Sequence, residues 1–556
     1  MYTIKISRTS YEILDSNNIL VDLKIDPVKY KLLNGDTFSL IDNVEIIKSP
    51  VRESHIAGVL VLSGNKTYGK YKNKYLYRCI PNDNLPEFLI PYKTIMKFNK
   101  NQINKYVIFK FSSWEKKHPM GSLLNTIGDV TELVSFYEYQ LYCKGLYSSI
   151  TKLKKQTNKM LKLHNSDYYV NEIIKNNNIE NRLDWDIITI DSESSQDLDD
   201  AIGYKKYENT IVVSIYISNI VFWMDALDLW SSFSERISTI YLPDGKRPMV
   251  PNKLSDNICS LLEGSKKVTF TIDITINMDG EILSYNHCNT AIIISKNLRH
   301  GALGNNSVYN EMMKIAKKMN KHTVYLESVS DSHEMVSYYM VLMNYLTALK
   351  MKEKSIGIFR SLKANDYVAP DAPKHLQKFL TIWNSSGGKY CKFENMHGHD
   401  MLKLEAYLHI TSPNRRLVDL LNIIIFQESF GSKKSFGSKK SLEFYNKWHE
   451  SIEYINKTNK LIKRVQNDCN LLHACMLKAN DQNIDPNSDQ HKVSGYILNK
   501  MEYKDKFQYT VYIPSLKMTN RLITSELLVN LESYNFKIYI FMDEIHLKQK
   551  IRLLLV

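Results

Sequence analysis

Asp184-Trp-Asp-Ile-Ile-Thr-Ile-Asp-Ser-Glu-Ser-Ser-Gln-Asp-Leu-Asp-Asp200 is the stretch around which this chain is organised. It carries four closely spaced aspartates, Asp191, Asp197, Asp199 and Asp200. In an extended segment Asp197 and Asp199 share one face and Asp200 lies on the other, so the four converge only on irregular backbone. Close carboxylates repel one another, which raises their pKa values unless cations neutralise them. Because carboxylate oxygens suit Mg²⁺ or Mn²⁺, the stretch predicts a two-metal phosphoryl-transfer site.

Two other interpretations of this acidic stretch are weaker. A calcium-binding hand that starts at Asp191 needs glycine where the chain has Gln196 and glutamate where it has Ile202. A solvated acidic loop is the commonest origin of such a run. Apolar strand-like segments bracket this one, however, at Ile187–Ile190 and Ile211–Ile217. Acidic residues set between core strands are more often a functional site.

The spacing Thr-Ile-Asp, five residues, Asp-Leu-Asp-Asp-Ala-Ile resembles the active-site motif of the ribonuclease II family, the RNB exoribonucleases. Further motifs similar to that family's follow in the same order: Arg236-Ile-Ser-Thr-Ile-Tyr-Leu-Pro-Asp244, Pro248-Met-Val-Pro251, Leu254-Ser-Asp-Asn-Ile-Cys-Ser-Leu261, and Tyr407-Leu-His-Ile-Thr-Ser-Pro-Asn-Arg-Arg416 with Asp419. The chain is most similar to the eukaryotic, exosome-subunit-like branch. Its heavy use of Asn, Lys, Ile and Tyr is typical of an AT-rich genome, with a viral homologue as one interpretation.

Composition narrows the class of partner. The chain has 556 residues, 73 Lys+Arg against 59 Asp+Glu, and a formal net charge of +14. That charge suits a polyanion, although basic proteins also bind anionic membrane surfaces. The longest charge-free apolar stretch, Ile211–Met224, is too short to span a bilayer, so we expect no membrane partner. The seven cysteines form no even disulfide framework and the first residues do not resemble a signal peptide, which favours an intracellular, cytoplasmic protein.

The resemblance implies a multi-domain α+β protein, and the length agrees with three or four domains. We expect five regions: an abbreviated first cold-shock-like OB region at 1–52, a second cold-shock-like OB fold at 53–148, a helical linker at 149–181, a mixed α/β RNB catalytic domain at 182–485, and a C-terminal RNA-binding OB β-barrel at 486–556. The hexapeptide Phe-Gly-Ser-Lys-Lys-Ser, repeated at 430–441, is interpreted as a surface loop.

Local patterns predict the type of most elements. Strand-like runs broken by Gly, Asn and Pro occupy the chain to about residue 170, overlapping the start of the helical linker. Examples are Ile56–Leu62, Tyr75–Ile80 and Tyr106–Phe111. Further strands are expected at Lys492–Ile497, Tyr509–Pro514 and Phe536–Phe541. Helices are expected at Ser307–Met319, Glu334–Lys352, Asp419–Phe426 and 442–485.

The resemblance also assigns roles to individual residues. The four aspartates would hold Mg²⁺, with Mn²⁺ as a substitute, and Asp199 would matter most for the chemistry. Arg415 matches the family's catalytic arginine, whose guanidinium clamps the scissile phosphate. Tyr241 matches the aromatic residue that stacks on terminal bases, unless it is an ordinary core tyrosine. The remaining RNA-binding candidates are Arg416, Lys267 and Arg236.

Several positions depart from the family pattern. Tyr216 and Asn219 replace a histidine and an aspartate, and Ile423 stands where the family has histidine. Ser337 and Tyr338 replace an acidic pair on the central helix, and an expected tyrosine is displaced or absent around His300. In the family, an acid of that pair and that tyrosine help to recognise the RNA sugar. We therefore expect weaker discrimination against DNA, unless the side chain of Tyr338 or His300 reaches the same 2′-hydroxyl.

Two functions remain open at this point. The first is a hydrolytic, Mg²⁺-dependent 3′→5′ exoribonuclease that acts processively on single-stranded RNA and releases nucleoside 5′-monophosphates. The second is a catalytically weak or inactive RNA-binding protein that retains the RNB channel. The intact aspartates and Arg415 favour the first, and the departures favour the second. Accessory protein subunits cannot be predicted from these residues.

Overall fold

A computed structural model describes residues 1–556 except 8–9, 42, 94–101, 178, 324, 327, 364–372, 386, 432–437, 480–491, 504 and 544–547. The chain divides into two compact units. The first comprises Met1–Tyr147, Leu242–Gly245 and Leu461–Val556, and the second comprises Ser148–Tyr241 and Lys246–Lys460. Among the described residues, no helix has both the length and the apolar content needed to cross a lipid bilayer.

The chain begins with a small sheet in the first unit. Its strands are β1 (Tyr2–Ile6), β2 (Tyr11–Leu14), β3 (Leu20–Val21), β4 (Thr37–Ser39) and β5 (Glu45–Lys48), followed by the short helix α1 (Pro50–Glu53). They form a five-stranded sheet in the order β3-β2-β1-β4-β5. Ile4, Ile13 and Phe38 bury its inner face. Alternating apolar residues therefore bury one face of this sheet, and its assignment to an OB region stays a prediction.

A second sheet of the same unit follows. Its strands are β6 (Ile56–Leu60), β7 (Lys70–Tyr71), β8 (Lys74–Pro81), β9 (Phe88–Tyr92), β10 (Lys105–Ser113) and β11 (Met120–Asp129). They have the order β6-β10-β11-β9-β8-β7, and β6 also pairs with β8. That extra pairing curls the sheet around a core that includes Val107 and Phe109. The strands predicted from Ile56, Tyr75 and Tyr106 are confirmed.

The prediction of strands up to about residue 170 is wrong after β11, because helix α2 (Leu133–Cys143) follows it. The segment is rich in aromatic residues, which favour strands by propensity. Tertiary packing overrides that preference: the ring of Tyr139 stacks on Tyr106 of β10 at 4.2 Å. The predicted helical linker contains α3 (Thr151–Leu163) and α4 (Ser166–Asn176), and strand β12 (Glu180–Arg182) begins before it ends.

A seven-stranded sheet forms the centre of the second unit. After β12 its strands are β13 (Ile187–Asp191), β14 (Asp200–Lys206), β15 (Thr210–Ser218), β18 (Lys266–Asn277), β19 (Ile282–Ile293) and β20 (Lys296–Arg299). Between β15 and β18 the chain forms α5 (Ile220–Ala226) and a separate pair of strands, β16 (Ile240–Leu242) and β17 (Gly245–Arg247). The order is β12-β19-β18-β15-β14-β13-β20. The register sets four residues directly opposite one another across adjacent strands: Asp200, Ile217, Phe270 and Asn289. Side chains opposite one another lie on the same face of a sheet.

Helices follow this sheet in the chain. They are α6 (Ser307–His322), α7 (Ser332–Glu353), α8 (Lys374–Ser385), α9 (Leu417–Phe430), α10 (Lys439–His449) and α11 (Ile452–Ala479), with β21 (Ile358–Ser361) and β22 (Lys389–Lys392) between them. The helices predicted at 307, 334 and 419 are confirmed. The helical stretch predicted over 442–485 is two helices, which separate at Glu450 and Ser451, and residues 480–485 lie outside the described residues. Helix α9 is almost wholly buried because its sequence is apolar on every side.

The predicted surface loop of the tandem hexapeptides falls largely on 432–437, outside the described residues. Phe430 ends α9, and Lys439–Ser441 belong to α10 rather than to a loop. The chain closes with β23 (Lys492–Tyr503), β24 (Lys506–Ile513), β25 (Met518–Thr524), β26 (Ser533–Asp543) and β27 (Lys548–Leu555). These strands form a five-stranded sheet in the order β25-β24-β23-β26-β27. The three predicted C-terminal strands are confirmed.

Candidate active site

The four aspartates lie where two neighbouring strands meet an irregular connection. Asp191 ends β13 and Asp200 begins β14. The loop between them is held by backbone contacts: the Ser218 N–H donates to the Asp199 carbonyl at 2.8 Å, and the Leu261 N–H donates to the Leu198 carbonyl at 2.9 Å. The expected irregular backbone is therefore present, and it brings Asp197 and Asp199 beside the strand ends.

Asp199 is the most deeply buried of the four, with 1% of its surface exposed. Neither of its carboxylate oxygens has a hydrogen-bond partner, and the nearest cationic group is the Nε of Arg415, 3.1 Å from Oδ2. Burial raises the pKa of Asp199 to about 8, and Arg415 opposes that rise. Burial likewise raises the pKa of Asp191 to about 7 and that of Asp200 to about 6. The cluster therefore favours an added cation.

Asp197 has partners that sequence patterns did not indicate. The Lys246 Nζ donates to Asp197 Oδ1 at 3.2 Å and to Asp256 Oδ1 at 2.8 Å. The Tyr241 hydroxyl donates to Asp197 Oδ2 at 3.2 Å. Lys246 lies just beyond the motif that ends at Asp244, and that position is the only sequence signal that points to it. Its ammonium supplies positive charge to one side of the cluster.

The residues fit a divalent cation by the chemistry of their donors. Buried carboxylate oxygens without partners are hard ligands of the kind that Mg²⁺ and Mn²⁺ prefer, and Asp191 Oδ2 and both Asp199 oxygens meet that description. In the arrangement of the described residues, no three His, Cys, Asp or Glu side chains converge at metal-ligating distance. Arg415 and Lys246 instead provide the countercharge.

The arginine pair lies directly before α9. The carbonyl of Arg415 accepts hydrogen bonds from the Thr239 N–H at 2.9 Å and the Ser238 hydroxyl at 3.0 Å, which ties it to the segment before Tyr241. The Arg415 side chain is 41% exposed. It therefore reaches both the cluster and the surface. Arg416 instead donates to the buried carboxylate of Asp419 at 2.7 Å.

The other predicted RNA-binding residues have different surroundings. Tyr241 is 40% exposed, so it is not an ordinary core tyrosine. The Arg236 guanidinium is buried and donates to the carbonyls of Ser148 and Pro248. The Lys267 Nζ is buried and donates to the carbonyls of Asn257 and Ile258. These bonds support local loops, and RNA contact through Arg236, Lys267 or Arg416 stays a prediction.

The departures from the family pattern also have defined places. Asn219 caps α5 and donates to Asn289 Oδ1 at 2.9 Å. The Tyr338 side chain is buried, and its hydroxyl bonds to Thr323 Oγ1 at 2.7 Å, away from solvent. The backbone N–H of His300 donates to the Asp191 carbonyl at 3.0 Å, and the His300 ring stacks on that of His333. His300, unlike Tyr338, therefore lies beside the acidic cluster.

Comparison with known proteins agrees with this site. The RNB domain family matches residues 180–300, which include all four aspartates. Ribonuclease R of Buchnera aphidicola is 24% identical over 262 residues, 44% of this chain and 35% of that protein. DIS3-like exonuclease 2 of Schizosaccharomyces pombe is 26% identical over 262 residues, 43% of this chain and 27% of that protein. The matches therefore span about a third or less of these curated relatives.

Two solved structures share the fold. Mycoplasma genitalium RNase R, in complex with ribose-methylated single-stranded RNA, has a TM-score of 0.71 at 14% identity and is covered over 100% of both chains. Yeast Ssd1, described as a pseudonuclease, has a TM-score of 0.57 at 15% identity, over 89% of this chain and 68% of that one. Residues 180–300 therefore match the RNB domain family, and the sheets and helices described above share the fold of these two structures.

Proposed function

We propose that this protein is a hydrolytic 3′→5′ exoribonuclease that acts processively on single-stranded RNA, needs Mg²⁺ and releases nucleoside 5′-monophosphates. The observation that carries the proposal is the pairing of Arg415 with the buried Asp199, whose carboxylate oxygens have no hydrogen-bond partner. An arginine beside buried carboxylates without hydrogen bonds is suited to phosphodiester chemistry. The guanidinium can bind the phosphate, and the carboxylates can bind the accompanying cation. Relatives named ribonuclease R and DIS3-like exonuclease 2 support the same class.

Each residue then has a task. Asp191, Asp199 and Asp200 would hold a divalent cation, which supplies Lewis acidity and activates water when bound. Arg415 orients the scissile phosphate and offsets charge that develops in the transition state. Lys246 holds Asp197 in place through Nζ. Tyr241 presents an exposed ring for stacking on a terminal base.

A second candidate is an RNA-binding protein without efficient hydrolysis. Two observations favour it: Asp197 is already paired with Lys246, and no three acidic side chains of the described residues converge at ligating distance. The shared fold with a protein described as a pseudonuclease is compatible with this alternative.

Incubation of the purified chain with 5′-end-labelled single-stranded RNA separates the two candidates. We expect a ladder that shortens from the 3′ end in Mg²⁺, release of nucleoside 5′-monophosphates, and no product in a chelator. RNA that is bound but stays intact in both Mg²⁺ and Mn²⁺ would establish the second candidate instead.

A further inference from the structure

A cleft of about 540 Å³ lies in the second unit, between β18, β19 and the C-terminal end of α9. Phe270 and Asn289, which line it, belong to the same face of the sheet as Asp200. Gln427 also lines it and stands ten residues beyond Leu417, where α9 begins after the arginine pair. At 1.5 Å per helical residue that separation is about 15 Å. The cleft is therefore distinct from the acidic cluster, and its volume suits a small ligand.

Aromatic rings form one wall of the cleft. The ring of Phe426 lies 5.1 Å from Phe270, 4.6 Å from His287 and 4.7 Å from Phe430. Tyr285 meets His287 edge-on at 6.1 Å. Burial lowers the pKa of His287 to about 3, so its imidazole is neutral at physiological pH. Apart from Lys354, whose Nζ lies 4.0 Å from the centre of the Phe430 ring, the wall is an uncharged aromatic surface of the kind on which planar heterocycles stack.

A paired donor and acceptor lie beside that wall. Asn289 Oδ1 accepts hydrogen bonds from Asn219 Nδ2 and from Gln427 Nε2, each at 2.9 Å. These bonds fix both amides. Among the described residues, no hydrogen bond is made by the side-chain atoms Asn289 Nδ2 and Gln427 Oε1. A fixed donor next to a fixed acceptor matches the edge of a nucleobase, where donor and acceptor groups also alternate.

A lysine side chain lines the edge of the same cleft. Lys350 lines it, with Nζ 5.7 Å from the centre of the Phe430 ring and 2.7 Å from Glu353 Oε2. An ammonium at this position suits a phosphate carried by the ligand, as a point charge rather than a bidentate clamp.

We propose that this cleft is a second nucleotide site, which binds a free nucleoside or nucleoside monophosphate by stacking its base on Phe426 and Phe430 and bonding its edge to Asn289 and Gln427. The proposal goes beyond exonuclease activity and does not depend on it, since a base-binding cleft persists whether or not the acidic cluster hydrolyses RNA.

Calorimetric titration of the four nucleoside monophosphates and their nucleosides tests this site directly. The protein titrated is the full chain with Asp199→Asn, a change chosen so that RNA remains intact. It is saturated with a single-stranded RNA oligonucleotide before the titration. We expect binding to persist under saturation. We expect Phe430→Ala to weaken it about tenfold, because one stacking ring is removed, and Phe430→Trp to preserve it. Gln427→Met, which removes the acceptor at similar volume, should also weaken it and alter base preference.

Tyr207→Ala is the matched control, because it removes an exposed aromatic ring of the same unit outside the cleft and should leave cleft binding unchanged. If Lys350→Met weakens the binding of monophosphates more than it weakens the binding of nucleosides, the phosphate is assigned to Lys350. The proposal is overturned if millimolar nucleotides do not bind, or if RNA displaces them fully and Phe430→Ala has no effect. Binding of N-acetyltryptophanamide without nucleosides would also overturn it and indicate a peptide site.

Discussion

Asp199 is buried, lies beside an arginine and has two carboxylate oxygens without hydrogen bonds. The proposed chemistry therefore depends most on this residue. Asp199→Asn should abolish hydrolysis while RNA binding survives or tightens, because the change removes an organising charge and also reduces repulsion of phosphate. Time courses with labelled RNA and filter binding measure both. Asp228→Asn, which changes an exposed aspartate of the same unit, is the control. Turnover retained in Asp199→Asn would place the chemistry elsewhere.

Tyr241 carries two separable contributions, an exposed ring and a hydroxyl bonded to Asp197. Tyr241→Ala should cost roughly 1–3 kcal/mol of terminal-base stacking and lengthen the limit product, because a short oligonucleotide has few other contacts. Tyr241→Phe keeps the ring and removes only the hydroxyl bond. Product lengths on a sequencing gel compare the variants. If Tyr241→Ala leaves the same end product at the same rate, the stacking role is wrong.

At the scale of elements, His287 ties the central sheet to the helices that cover it. Its Nε2 lies 2.9 Å from Thr347 Oγ1 of α7, and its ring packs on Phe270 and Phe426. Burial lowers its folded-state pKa to about 3, with Lys350 adding to the effect. The unfolded chain therefore takes up a proton below about pH 6.5 that the folded chain does not bind, and stability falls as pH falls toward 3.

This linkage predicts how a substitution responds to pH. For His287, the loss in free energy of unfolding between pH 7 and pH 5 should be about 2 kcal/mol, from 1.36 kcal/mol per pKa unit. His287→Gln should be less stable than the parent at pH 7, and the difference should shrink at pH 5, because glutamine takes up no proton. Urea denaturation at both pH values measures it. Equal pH dependence in the two proteins would contradict the buried neutral imidazole.

Helix α7 carries the prediction about sugar discrimination. Ser337 is exposed and the Tyr338 hydroxyl is bonded to Thr323, so neither replaces the acidic pair as a partner for a 2′-hydroxyl. A side chain that bonds the 2′-hydroxyl would be left buried without a hydrogen bond when deoxyribose binds, and this penalises DNA. A site that lacks such a side chain lacks that penalty. We therefore expect appreciable degradation of DNA, measured as rates on RNA and DNA oligonucleotides of one sequence. DNA that is bound but untouched while RNA is fully digested would show intact discrimination, and His300→Ala would then test whether the neighbouring imidazole supplies it.

At the scale of the whole molecule, the net charge of +14 predicts that electrostatics dominate RNA binding. Each single-strand phosphate contact releases roughly 0.7 counterions, so about six to ten contacts give a log–log salt slope on the order of −4 to −7. Fluorescence polarisation of labelled RNA with the Asp199→Asn protein over a salt series measures the slope. A nearly flat titration would contradict an extended basic binding surface.

Much of this molecule follows from local patterns. Alternating and continuous apolar runs identified the strands at Ile187–Asp191 and Thr210–Ser218, because burial of a face depends on residues close together in the chain. The same patterns placed the aspartates between core strands and identified α9. Where local preference conflicted with packing, prediction failed: the aromatic residues of α2 form a helix because they pack on β10.

Only the tertiary structure decided which side chains meet. Asp197 pairs with Lys246, 49 residues away, and Asp199 pairs with Arg415 from the segment before α9. The cleft beside Asn289 arises because strand register puts that residue opposite Phe270 and under Gln427. These long-range contacts depend jointly on the strand register, the path of the loops and the position of the helices. The sequence by itself therefore determined the elements and the acidic cluster, while long-range packing determined the partners that give those residues their charge balance.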